Sequence, residues 1–235
     1  MLVCLKAIRN KLRFYSVFRM VKTHRPTFLL VHGWGFDRHF FDPLVECLPQ
    51  FTCVTIDLGF TGNPIMPALD GEAPTLAVGH SMGFMWLLRQ KPAKWRGLVG
   101  INAFPRFTET EEYRPAQPVR VLELMQEQYF RKPDRATADF MSMCGNTEAL
   151  KSFDTNRMAE SLTWLADWDE REALANEPAP VFALAGKADQ IVLPAMTEAG
   201  FGGAAPIQWH DGGHLLPMED PAWCAERLAV VWDSL

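Results

Sequence analysis

The sequence predicts an α/β protein, a three-layer sandwich with a mostly parallel sheet between two layers of helices and a helical lid over one end. Three observations carry this. Wholly apolar runs recur at Thr27–Val31, Leu98–Asn102 and Val181–Ala185, the composition of strands buried on both faces of a parallel sheet. Segments with helical spacing alternate with these runs, as crossover connections require. Finally, Gly79-His80-Ser81-Met82-Gly83 reads G-x-S-x-G, with the apolar run Thr75–Val78 before it and the helix-like run Phe84–Leu88 after it. Strand, tight turn, helix is the context in which this motif exposes a serine hydroxyl above a sheet, and its glycines leave room for close strand–helix approach.

Taken in order, residues 1–26 differ from the rest: they hold seven Lys or Arg and no acid, and the first acid is Asp37. A basic β-ribbon with Leu12, Phe14 and Phe18 turned inward, an Arg-rich targeting segment and an upstream extension before Met20 are the competing readings. The ribbon and the extension fit better, and the residues do not separate them. Thr27–Val31 leads into His32-Gly33-Trp34-Gly35, Phe41–Leu48 can form a short helix, and Thr52–Ile56 is the next strand, ending at Asp57. The stretch from there to the Ser81 strand carries Pro64, Pro67, Gly71 and Pro74, so its crossover helix should be lost or reduced to one turn. The long insertion before Val181 is helical in pattern: Pro118–Phe130 is amphipathic, Asp134 can cap a helix ending near Gly145, and Met158, Leu162, Leu165 and Trp168 recur at helical spacing. An insertion between two strands of a parallel sheet should cover their C-terminal ends, hence the lid over Ser81. Pro206–Trp209 is the last strand, and Asp220-Pro221 starts a final helix through Val231. The expected organisation is a basic segment at 1–26, an α/β core at 27–107 and 177–235, and a helical lid at 108–176.

Composition narrows the function. A chain of 235 residues fits one sizeable α/β domain. A net charge of −5 disfavours nucleic-acid binding, and no apolar run reaches the length of a membrane span. Five cysteines (Cys4, Cys47, Cys53, Cys144, Cys224) with no C-x-x-C pair argue against a zinc site or a disulfide framework and fit a reducing, cytoplasmic setting. No metal site and no cofactor are expected.

A serine hydroxyl needs a base to act as a nucleophile at neutral pH. Of the six histidines, His214 is the best placed, in a Gly-rich loop after the last strand. His80 should be a packing residue because neighbouring side chains at a sharp turn diverge; His210 reads as structural, and His24 and His39 as surface. Asp189, just past a strand end, is the acid expected to orient His214, giving the chain order Ser, Asp, His. Asp57 is the weaker candidate, and Asp211 reads as a turn residue. The oxyanion amides are expected from Met82, after the nucleophile, and Trp34, after the first strand. Trp34, Phe140, Met141 and Leu215 are expected to line the substrate site.

HGWG at 32–35, GHSMG at 79–83, GKADQIV at 186–192 and GGH at 212–214 together resemble the α/β-hydrolase superfamily, from Thr27 to the C-terminus. Within it the chain is similar to the pimeloyl-[acyl-carrier protein] methyl ester esterases of biotin synthesis in its HGWG form, short length and lid size. The resemblance implies Ser81 as nucleophile, His214 as base, Asp189 as its orienter, and a carrier-linked methyl ester as substrate. General carboxylesterase, thioesterase or lactonase activity, or a ligand-sensing pocket with little turnover, would use the same residues and stays open. The resemblance also implies acyl carrier protein as a partner, an acidic protein that would dock on basic lid residues among Arg114, Arg120, Arg131, Lys132, Arg135, Lys151 and Arg157. Met125, Met141, Met143 and Met158, with Phe130 and Phe140, are candidates for an apolar acyl channel. The sequence departs from the family in DLGFTGN at 57–63, in a shortened following helix, and in Phe84, whose bulk should crowd the helix packing.

Overall fold

The computed structural model describes residues 25–146 and 152–235. The expectations for the N-terminal segment therefore fall outside the described residues up to position 24, as does Lys151. Six strands, β1 (Thr27–Val31), β2 (Thr52–Ile56), β3 (Thr75–His80), β4 (Gly97–Ile101), β5 (Val181–Gly186) and β6 (Ile207–His210), form one sheet in the order β2-β1-β3-β4-β5-β6. Every pairing is parallel. β1, β3 and β4 are buried along their whole length, which is why their sequences lack apolar–polar alternation.

The strand order reverses at β1. The chain moves outward to β2, then returns past β1 to β3, with Val31 opposite Gly79. A crevice opens at the C-terminal ends of the two strands flanking such a switch, and Gly33-Trp34 and Ser81 follow those two strands.

On one face lie α1 (Asp42–Glu46), α8 (Leu216–Glu219) and α9 (Pro221–Asp233), which pack on one another. Trp232 of α9 sits against Phe28 and Phe51, with ring centroids 6.1 and 5.9 Å away. On the other face lie α2 (Met82–Gln90), α6 (Arg171–Ala175) and α7 (Pro194–Phe201). Between β4 and α6 run α3 (Val119–Arg131), α4 (Pro133–Met143) and α5 (Thr155–Asp167), with α3 packed on both of the others. No described helix is long and apolar enough to cross a membrane.

Several local expectations need correction. Asp134 does not cap α4; it lies in the first turn, and the capping position is Lys132, with Pro133 opening the helix. The short helix expected within Phe41–Leu48 forms as α1, and a 3₁₀ turn over Arg38–Phe41, capped by Asp37, precedes it. The connection from β2 to β3 has no helix, in agreement with its Pro- and Gly-rich sequence; an antiparallel bridge between Asp57 and Ile65 holds it. Phe84 does not crowd the packing: it is fully buried beside Phe201 of α7, and Gly100 leaves the space, since a Cβ there would lie 3.1 Å from the Phe84 ring. The sequence reading missed α7, which shows little apolar periodicity.

Candidate active site

The turn after β3 is built by glycines on both sides. A Cβ on Gly79 would lie 2.3 Å from Phe84 Cα, and one on Gly83 would lie 2.2 Å from the Val31 carbonyl oxygen. Only bare backbone lets α2 start so close to β3 and β1. Ser81 itself sits at φ 54°, ψ −124°, a conformation that L-residues rarely adopt. Its N–H donates to the Ile101 carbonyl at 3.0 Å, and it occupies the N-terminus of α2, where unpaired backbone N–H groups gather.

The His32–Gly35 turn lies directly beside this serine. A Cβ on Gly33 would stand 3.0 Å from Ser81 Cβ and 3.0 Å from His80 Nδ1. Gly35 takes φ 79°, and the Met141 methyl group occupies the space its side chain would need. Trp34 is buried under the insertion: its indole N–H donates to the Met158 carbonyl at 3.1 Å, and its ring meets Phe140 and Tyr129 edge-on at 5.0 and 5.8 Å. Trp34, Phe140 and Met141 are thus brought together over the turn, whereas Leu215 is buried behind His214 with its N–H bonded to Glu219. Phe130 and Met143 do not join them. They are 91% and 56% exposed, on the outer faces of α3 and α4, which removes both from the expected acyl channel.

His214 and Asp189 meet across the sheet end. His214 Nδ1 lies 2.7 Å from Asp189 Oδ2, and both side chains are almost wholly buried. The other Asp189 oxygen accepts the N–H groups of Ile191 and Val192, at 2.7 and 2.8 Å. The carboxylate is therefore fixed by its own loop, and its remaining oxygen is aimed at the imidazole. This bond assigns the proton to Nδ1 and leaves Nε2 as a base. Asp57, the rival acid, is used elsewhere: it accepts from the Gly59 and Arg38 N–H groups and shapes the loop after β2. Asp211 is exposed and pairs with Lys187. His210 is bonded to Gly212 N–H and Asp220, and His39 is a surface residue beside Asp42. Cys144 is buried too, and burial followed by the Asp189 charge pushes its thiol up, so it is a packing sulfur rather than a nucleophile.

His80 does more than pack. It stacks on Phe40 at 4.4 Å and lies 4.9 Å from the His214 ring, with its Nε2 2.9 Å from the His214 carbonyl oxygen. That contact makes Nε2 the donor and leaves the buried Nδ1 with no partner. The side chain of His80 reaches the loop that carries His214. Nothing in the pentapeptide signals this, because the loop arrives from the far end of the chain.

Burial, and then His214 beside it, hold His80 well below the usual histidine range. The unfolded chain takes up this proton more easily, near the ordinary value of 6.5, so the stabilisation is complete above that value and is lost as pH falls below it. The cost reaches up to about 1.4 kcal/mol per pH unit. His80→Gln keeps an N–H donor without the titration. Thermal melts between about pH 7 and pH 5 are expected to show a smaller fall in Tm for this variant than for the parent. Parallel curves would show that His80 does not resist protonation.

No known protein-family model matches the chain. Its curated relatives include the biotin biosynthesis bifunctional protein BioHC of Cellvibrio japonicus, 26% identical over 74% of this chain and 40% of that longer protein. They also include a pimeloyl-[acyl-carrier protein] methyl ester esterase of Legionella pneumophila, 29% identical over 73% of this chain and 78% of that one. Among solved structures, an esterase from Exiguobacterium antarcticum superposes with a TM-score of 0.73 at 17% identity, covering 89% of this chain and 92% of that one. The chain has the α/β-hydrolase fold, and the curated proteins it resembles in sequence include pimeloyl-[acyl-carrier protein] methyl ester esterases.

Proposed function

We propose that the protein is a serine carboxylic-ester hydrolase whose substrate is a methyl ester of a dicarboxylic acyl group carried on acyl carrier protein, of the pimeloyl type. The observation that carries the chemistry is the buried Asp189–His214 contact at 2.7 Å, on a loop that the serine turn reaches through the His80 contact with the His214 carbonyl. The relatives' names carry the substrate.

In this reading Ser81 Oγ attacks the ester carbonyl carbon and gives its proton to His214 Nε2. The Met82 and Trp34 backbone N–H groups receive the developing oxyanion. The tetrahedral species collapses, the carbon–oxygen bond to the alcohol breaks, and His214 returns the proton to the leaving alkoxide. Water then attacks the acyl-enzyme with His214 again as base, releasing the acid and restoring Ser81. Asp189 holds the imidazole throughout. Trp34, Phe140 and Met141 contact the acyl chain.

A carrier protein would meet the basic corner between α3 and α4. Arg131, Lys132 and Arg135 line a cavity of about 320 Å³ there, with Gln128, Ala136 and Asp139. Arg135 also pairs with Asp139 at 3.6 Å; among the other described candidates, Arg120 pairs with Glu123 and Glu127, Arg114 with Glu109, and Arg157 bonds the Leu58 carbonyl. The test measures hydrolysis of a dicarboxylate monomethyl ester on acyl carrier protein beside a free short-chain p-nitrophenyl ester. Efficient cleavage of the carrier-linked ester is expected. The double variant Arg131→Glu with Arg135→Glu is expected to lower kcat/KM for it by about tenfold or more, and for the free ester by less than about twofold. Cleavage of the free ester alone would return the substrate to the general carboxylesterase class, and equal losses on both would remove the docking surface.

A further inference from the structure

We propose that Asn102 is a positioning residue of this site: one buried amide that ties the acid strand to the histidine loop, next to the backbone carbonyl of Ile101 that holds the nucleophile turn. The inference rests on the esterase reading and concerns a side chain to which that reading gives no role. Asn102 follows β4 directly and is 1% exposed, with φ 46° in the left-handed region. Its Oδ1 accepts the Gly186 N–H at 2.7 Å, where β5 ends three residues before Asp189. Its Nδ2 donates to the carbonyls of Gly213 and His214, at 2.8 and 2.7 Å. Its own N–H donates to Leu184 at 2.8 Å, while the carbonyl of the preceding residue, Ile101, receives the Ser81 N–H at 3.0 Å. Two consecutive residues thus bond the elements that carry Ser81, Asp189 and His214.

The chemistry requires an amide at this position. One acceptor must face an N–H while two donors face two carbonyls, and this polarity also assigns which end of the side chain is oxygen. Aspartate supplies the acceptor but no donors when ionised. Serine is too short to reach three partners, and an apolar residue would leave the Gly186 N–H and the Gly213 carbonyl without this partner. The His214 carbonyl is held twice, by Asn102 Nδ2 and by His80 Nε2, so the base is fixed at its backbone as well as at its Nδ1. Displacement of a general base by about 1 Å costs on the order of 100-fold in rate without weakening substrate binding.

The test uses three variants and two readouts. Asn102→Gly tolerates the positive φ and removes only the side chain. It is expected to lower kcat on a p-nitrophenyl ester by about 10- to 100-fold with KM changed less than about twofold. Labelling of Ser81 by a fluorophosphonate should slow in parallel. Asn102→Asp keeps the shape. When protonated, its carboxyl can donate to the His214 carbonyl while still accepting from Gly186, so its activity relative to the parent is expected to rise as pH falls from about 8 to 6. A residue that merely supported the fold would give a constant ratio. Labelling of Asn102→Gly at the parental rate, or a flat ratio for Asn102→Asp, would overturn the positioning role and leave the esterase reading in place. Should Asn102→Gly fail to fold, the Asn102→Asp ratio decides alone. Ser81→Ala separates the two levels: parental protein that labels no faster than Ser81→Ala would overturn the esterase reading and this inference together.

Discussion

Ser81→Ala is expected to lower kcat for ester cleavage by about 10⁴- to 10⁶-fold while the protein keeps its fold. The loss is large because, among the described residues, no other group stands in the serine's place. Cys144 is buried with its thiol pushed up, and the ring beside the turn, His80, donates its Nε2–H to a carbonyl rather than facing a substrate. The fold should survive because the serine's structural bond is made by its backbone N–H to Ile101, which alanine retains. Alanine also accepts the same strained φ and ψ at little extra cost, so Tm should move by no more than a few degrees. Steady-state hydrolysis and a thermal melt on the same preparation check both halves. Near-parental turnover by a folded variant would remove Ser81 as nucleophile, and with it the acyl-enzyme.

The second large effect is expected from Asp189→Asn, about 10⁴-fold in kcat with little change in Tm. Asp189 uses its two oxygens differently: one accepts from Ile191 and Val192, and the other faces His214 Nδ1. An asparagine can keep the first pair through its oxygen. Its amide nitrogen then faces His214 as a donor, which forces the imidazole proton onto Nε2, the atom that must accept from Ser81. The geometry stays and the tautomer is wrong. The distinguishing measurement is the pH profile. Raising the pH should not restore the variant, because the fault is the position of the proton rather than an excess of protons. Asp189→Asn with parental kcat would show that the 2.7 Å contact is structural only.

The parallel sheet is readable in the sequence, since Thr27–Val31, Thr52–Ile56 and Val181–Ala185 carry continuous β-type composition and the strands form at or within a residue of those bounds. The elbow was readable because Gly79 and Gly83 have no local reason to flank Ser81 except close approach, and the approach is there. The pairing of Asp189 with His214 followed from the order of elements, each residue being placed just past a strand end. These inferences rest on forces acting over a few residues: side-chain period, turn geometry and backbone sterics. The structure was needed for what depends on which distant segments meet. Phe84 reads as crowded until Gly100 is seen beside it. Phe130 reads as a pocket residue because it is aromatic, but the rotation of α3 turns it to water. His80 and Asn102 carry no signal in their neighbourhoods, since the carbonyls they hold belong to residues 213 and 214. Local sequence specifies local geometry. The partners of a buried polar group are chosen by the packing of the whole sheet, and here that packing, not any motif, brings the serine turn and the histidine loop together.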